Sequence, residues 1–405
     1  MSVTSPSEAD AAPSGPCAGT TSSEAAQPDP DTTSFQRLRN WFRLQWHFER
    51  HRRCPSAFFL QGHHHHNHVV ALREPLASIV RVSPGRLGKF RTRRRTVPVL
   101  PRVWDEAAVL RAVRPHLPYV PHVLLTYGSR ALHTYVEGVP LADALRGAPV
   151  EDETLRRIAA LFGALGEIPA SDLPELPQAW QTDGDSTRFL QNLATFAHNE
   201  VYVRNRPRFG SLFRRLGIPD DAVERFTREA KLLRPRPYSL LHCDIHRGNL
   251  LTCKNGDLAL VDWELALFGD PLHDLATHVV RMEYSEEERR RLIQLWQQEM
   301  RVRGREDRLV GMDEDFRIYV DFEHAQSVFP DTIRAASELP VAATDKDFDV
   351  AAVSVHRALS RARKALKQDA GPDHSAVRQA LRSWHREQQG LPGRLRAVRL
   401  VPRRR

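Results

Sequence analysis

The chain has 405 residues, 41% of them hydrophobic and 27% charged, with a mean hydropathy of −0.47; that length allows two or three domains, or one two-lobed enzyme with tails, and the balance is that of a soluble globular protein. No apolar run approaches the ~20 residues needed to span a bilayer, and the first thirty residues lack the features of a secretory or transit peptide, so the cytoplasm is the expected compartment and no membrane is expected as a partner. The formal net charge is +9, but only six of the 59 basic residues are lysine; this compositional skew makes the runs at 91–95 and 403–405 read as solvated charge, and nucleic acid is not an expected partner.

Residues 1–34 are rich in Ser, Ala, Thr, Pro and Asp and contain no aromatic residue. Such a segment has too little apolar surface to offset its ordering entropy and is expected to be a disordered leader. Aromatics at helical spacing predict a helix over 35–52. Two strand-like runs, 57–60 and 68–72, flank the turn Gly62-His63-His64-His65-His66-Asn67. A short helix over 75–82 follows, then strands over 87–94 and 96–104 around a basic turn. The acids that open 105–113 predict a helix start, and 120–127 with 131–136 read as another strand pair. Beyond Pro140 the pattern turns helical, over 152–168, 189–203, 222–233, 286–302, 316–339 and 351–370. The four cysteines show no CxxC spacing, so reduced thiols are expected.

One β island, 238–263, interrupts the helices. Asn255-Gly256 between two short apolar runs predicts a hairpin with a type I′ turn. Asn249 precedes its first strand and Asp262 ends its second, which brings both polar groups to the same open end. A carboxylate there is costly to bury without a partner, and a divalent cation would supply one.

His242-x-Asp244 followed by Asn249, with Asp262 beyond the hairpin, has the spacing of a kinase catalytic loop and its metal-binding aspartate. Together with His246 inside the loop, Trp263-Glu264 after the aspartate, and Gly269-Asp270-Pro271-Leu272-His273-Asp274-Leu275-Ala276, the chain resembles the aminoglycoside phosphotransferase and choline kinase family of the protein-kinase-like superfamily. The resemblance implies an α/β (α+β) fold of two lobes, small and β-rich at 35–138, larger and helical at 139–385, with a basic tail at 386–405. It also implies ATP and Mg²⁺, and phosphorylation of a hydroxyl on a small molecule. Asp244 would take the hydroxyl's proton, His242 would brace the loop, Asn249 and Asp262 would bind Mg²⁺, and Asp274 would hold the loop from behind.

The same resemblance calls for a β3 lysine paired with an acid of the next helix, yet Lys89 is the only lysine before Lys231. Arg102, just before Glu106, is the preferred substitute, with Arg81 and Lys89 left open. Gly62 to Asn67 would cover the phosphates, with zinc binding by the histidines as the lesser reading, and Tyr135-Val136-Glu137 would be the hinge that holds adenine. Glu264, Asp321 and Glu323, with Asp331, would suit a cationic amino sugar or amino alcohol. Two rival functions stay open: a pseudokinase that binds nucleotide or protein, and a metal-dependent hydrolase built on His242, Asp244 and His246. No GxxxxGK[ST], GxSxG or HExxH motif competes.

Overall fold

The computed structural model describes residues 46, 50, 58–61, 65–93, 97–127, 130–145, 148–180, 182, 184–223, 232–368 and 370–390. The expected leader, all of the helix over 35–52 except residues 46 and 50, Gly62, most of the helix over 222–233 and the basic tail from 391 on lie outside the described residues.

Alternating residues build the first sheet. Strands β1 (Phe58–Gln61), β2 (His65–Ala71), β3 (Leu87–Arg93), β4 (Val123–Tyr127) and β5 (Arg130–Thr134) run in the order β1-β2-β3-β5-β4, with every neighbouring pair antiparallel. Lys89 pairs with Val69, and Arg91 with Asn67. Because side chains alternate along a strand, Lys89 and Arg91 share one face. A short helix, α1 (Leu76–Ile79), sits between β2 and β3.

The strand expected over 96–104 does not form. Residues 97–104 are irregular, and Pro98 and Pro101 explain it, since each removes a backbone donor from any ladder. Helix α2 (Glu106–Val113) does start where its acids predict, with the Asp105 carboxylate accepting from Ala107 N at 3.0 Å. Strand β5 stops at Thr134 rather than 136, and Tyr135 N–H instead donates to Leu87 O at 3.1 Å.

Helices α3 (Leu141–Leu145) and α4 (Asp152–Glu167) follow the two-residue strand β6 (Val139–Pro140). Helices α5 (Ser186–Phe196) and α6 (Arg204–Arg215) are joined by a wider turn over Ala197–Val203. Strand β7 (Ser239–Leu241) leads into the island, where β8 (Leu250–Thr252) and β9 (Leu258–Leu260) form the expected hairpin with β6 on its outer side. Its turn is not type I′. Gly256 has φ +84 but Asn255 has no positive φ, and Gly256 N donates to Cys253 O while Cys253 N donates to Asp257 O. That is a three-residue loop with glycine in the left-handed position.

Strand β10 (Leu267–Gly269) pairs with β7 and hands the chain to α7 (Pro271–Met282), capped by Asp270 and opened by Pro271. Helices α8 (Glu286–Val302), α9 (Met312–Glu338), α10 (Asp345–Ala362) and α11 (His374–Gly390) follow among the described residues. Aromatics join them: Phe209 stacks on Trp384 at 5.1 Å, and Phe213 meets Phe329 edge-on at 5.4 Å. Beneath α7 the buried Arg236 pairs with both Asp270 and Asp315, and Tyr319 donates to Asp270 at 2.8 Å, so the start of α7 is fixed in place. No helix among the described residues is long and apolar enough to cross a membrane.

Candidate active site

The segment after β7 is pinned by its backbone. Asp274, on the first turns of α7, accepts from His242 N at 2.8 Å and Cys243 N at 2.7 Å, and Cys243 takes the left-handed φ of +60. Burial pushes the Asp274 carboxyl up to about 6 against those two hydrogen bonds. His242 lies fully buried edge-on to Trp263 at 4.8 Å, with burial driving it down to about 3, and its Nδ1 accepts from Asp244 N at 3.3 Å. Neutral and enclosed, it braces the loop. From the far side His278 bonds Ile245 O at 2.9 Å and Tyr284 Oη at 3.0 Å.

This bracing presents Asp244 and Asn249 together. Asn249 Nδ2 donates to Asp244 Oδ2 at 2.9 Å and to Asp244 O at 3.0 Å, which turns its own oxygen away from the loop. Asp244 Oδ1 meets the guanidinium of Arg281 and lies 3.7 Å from His246 Nε2. His246 Nδ1 accepts from Gly248 N at 3.0 Å, so its Nε2 carries the proton and faces the carboxylate. Burial raises the Asp244 carboxyl above its usual value, with Arg281 and His246 opposing.

Asp262 follows β9 with φ +70. Arg91 Nη2 holds its Oδ1 at 2.6 Å, and Arg91 Nη1 holds Glu106 Oε1 at 2.5 Å. The same Glu106 oxygen accepts from Trp263 N at 3.2 Å. Sheet, helix α2 and the segment after the hairpin are thereby joined through one guanidinium, which is only 2% exposed. Burial works against the charge of Arg91, but Glu106 and Asp262 outweigh it and raise its pKa further.

Asp244, Asn249 and Asp262 border one cleft of about 720 Å³, lined among others by Asn67, Lys89 and Arg281. Tyr135 and Val136 line it as well, at the junction between the sheet and the helical part. Burial, with Arg91 adding to it, lowers Lys89 to about 8. Asn249 and Asp262 offer hard oxygen donors to this space, and Mg²⁺ held beside nucleotide phosphates takes few protein ligands, so the residues fit Mg²⁺. Glu323 also borders the cleft. Its Oε1 meets Arg281 Nε at 3.3 Å and its Oε2 accepts from Gln326 at 2.6 Å; burial pushes it up, but Arg281 and its other partners outweigh that and hold it below its usual value.

Residues 77–306 match the phosphotransferase enzyme family. The chain belongs to that family. A thiamine kinase from Shigella boydii is 32% identical over 138 residues, which cover 28% of this chain and 50% of the relative. The chain thus spans about half the length of the curated relatives it matches. An ethanolamine kinase from Plasmodium vivax superposes with a TM-score of 0.50 at 13% identity, over 83% of this chain and 89% of that one. A putative aminoglycoside phosphotransferase from Ralstonia eutropha gives 0.49 at 14% identity, over 86% and 98%. The P. vivax likeness shows the fold, the two-lobed kinase-like α+β arrangement that the sequence resemblance implies.

In this phosphotransferase-family chain several expected placements change. Arg102 does not meet Glu106. Its Nη2 pairs with Glu264 Oε2 at 2.6 Å, and the acid of α2 is held by Arg91 instead. With 97–104 irregular, Arg102 follows the path of a loop rather than a strand register. Glu264 is buried, raised to about 8 by burial and then by Asp262, and does not line the cleft, so the expectation that it faces substrate does not hold. Asp321 is also absent from the cleft lining, whereas Glu323 and Asp331 are part of it; residues two apart on a helix point to different sides. The hydrolase triplet does not converge either, because His242 is sealed under Trp263, and among the described residues no three His, Cys, Asp or Glu side chains group around a metal position. Sequence reasoning missed Arg91 and Arg281. The only signal for Arg91 was its place two residues after Lys89 in an alternating strand, and nothing local marked Arg281.

Proposed function

We propose that this protein is an ATP·Mg²⁺-dependent kinase that phosphorylates a hydroxyl of a small molecule. The observation that carries the reading is the convergence of Asp244, Asn249 and Asp262 on one cleft in a chain of the phosphotransferase enzyme family. In this reading residues 35–138 form the nucleotide lobe and 139–385 the lobe that carries the catalytic loop. Tyr135 and Val136 border the base, and Asn67 lies near the phosphates.

Asn249 and Asp262 would hold Mg²⁺, which when bound neutralises charge on the phosphates. One oxygen of Asp262 stays fixed by Arg91, so its orientation does not depend on the metal. Asp244 accepts the proton of the acceptor hydroxyl as that oxygen bonds the γ-phosphorus and the bond to the ADP oxygen breaks. Asn249 and Arg281 fix the two oxygens of Asp244, which limits the wrong orientations available to the base. Five carboxylates along the cleft, Asp143, Asp244, Asp262, Glu323 and Asp331, outnumber the three cations Lys89, Arg281 and Arg334, which supports an amine-bearing alcohol or sugar as acceptor.

The test is ATP consumption by the purified protein against amino sugars, amino alcohols and nucleosides, with calorimetry of ATP binding with and without Mg²⁺. Turnover on one class and Mg²⁺-dependent binding are expected. Equal binding in both conditions, with no turnover, would make the protein a pseudokinase.

A further inference from the structure

Lys89 and Arg91 share one face of strand β3, and they are differently situated. Arg91 is 2% exposed, both of its terminal nitrogens are engaged by Glu106 and Asp262, and it does not border the cleft. A nucleotide phosphate could reach it only by displacing one of those carboxylates. Lys89 is half-buried, lines the cleft with Asn67 and Asp262, and makes no hydrogen bond or ion pair among the described residues. Arg102, the other candidate cation, is paired with Glu264.

We infer that the two tasks expected of a single β3 cation are divided here: Arg91 braces Glu106 and Asp262, while Lys89 contacts the nucleotide phosphates. The inference rests on the kinase reading above and deepens it. Phosphate recognition by an ammonium is a point-charge interaction that needs access rather than a planar fork, and Lys89 has the access. Bracing two carboxylates from different elements needs two donors in fixed geometry, which the guanidinium of Arg91 has.

The experiment measures binding of Mg·ADP and of adenosine to the full chain by calorimetry, for wild type, Lys89→Met and Lys89→Arg. Lys89→Met is expected to weaken Mg·ADP by about 10- to 100-fold, the range for a hydrogen bond to a charged group, and to leave adenosine binding within twofold. Lys89→Arg should recover part of the loss. A second measurement needs no variant: amine labelling followed by mass spectrometry should show Lys89 protected by Mg·ADP and not by adenosine. Unchanged Mg·ADP affinity in Lys89→Met, an equal loss for both ligands, or protection by adenosine alone would each overturn the assignment. Wild-type protein that binds no nucleotide at all would instead overturn the kinase reading, and the role of Lys89 with it.

Discussion

Arg91 and Asp262 lie 171 residues apart in sequence, yet the guanidinium of one holds the carboxylate of the other at 2.6 Å, and Glu106 shares the same guanidinium. The contact ties the orientation of a proposed metal ligand to the sheet of the smaller lobe. Two acids in a poorly solvated place require a cation, and this arginine is the one that lies between them.

Arg91→Ala should therefore destabilise the whole protein, not only its activity. Removing one partner of a buried charge cluster leaves the others uncompensated and costs roughly 3–5 kcal/mol. Urea unfolding checks this, with Lys89→Met as a control whose midpoint should stay near wild type. A wild-type midpoint for Arg91→Ala would mean that the acids find other partners.

Asp244→Asn should lower turnover by roughly 10²–10⁴-fold, the usual worth of a general base, while the Mg·ATP dissociation constant stays unchanged. Asp262→Asn should differ by losing the Mg²⁺ dependence of nucleotide binding, since a neutral oxygen is the weaker ligand. Steady-state kinetics and calorimetry separate the two. Wild-type turnover in both variants would refute the proposed mechanism.

Arg281 contacts Asp244 directly and reaches Glu323 at 3.3 Å. Arg281→Ala should reduce kcat by roughly 10²-fold through misplacement of the base, and Arg281→Lys should restore part of it. Nucleotide affinity should not change in either variant. A loss confined to nucleotide binding would put Arg281 at the phosphates instead of at the base.

Buried histidines make the fold sensitive to acid. His278 is held down at about 4 by burial, which outweighs the opposing pull of its hydrogen bond to the Ile245 carbonyl. In the unfolded chain a histidine titrates near ~6.5. Between those values the unfolded state binds a proton that the native state does not, so this contribution is present above pH 6.5 and lost as pH falls toward 4. His278→Gln should flatten the pH dependence of unfolding free energy by about 1.4 kcal/mol per pH unit between pH 6 and 4.5. Asp274 and Glu264, raised to about 6 and about 8, act in the opposite sense but are common to both proteins and cancel in the difference. Parallel pH profiles would show that His278 is already charged in the native state.

What the sequence determined by itself is the stretch whose geometry is local. From His242 to Asp262 the spacing of Asp244, Asn249 and the hairpin suffices, because a loop and a tight turn fix which groups reach one end of two short strands. Even there, the turn type depended on a single backbone angle at Asn255, which composition does not report. The partner of Glu106 was decided only by tertiary structure. Arg102 is nearer in sequence, but Pro98 and Pro101 take its segment out of the sheet and leave it beside Glu264, while strand alternation aims Arg91 across the fold. Asp321 and Glu323 make the same point on α9: both are acids on one helix, and only the packing of α9 against α7 turns Glu323 into the cleft. Charge pairs between distant elements leave no periodicity in a sequence, because each partner is an ordinary polar residue until the fold brings the other to it.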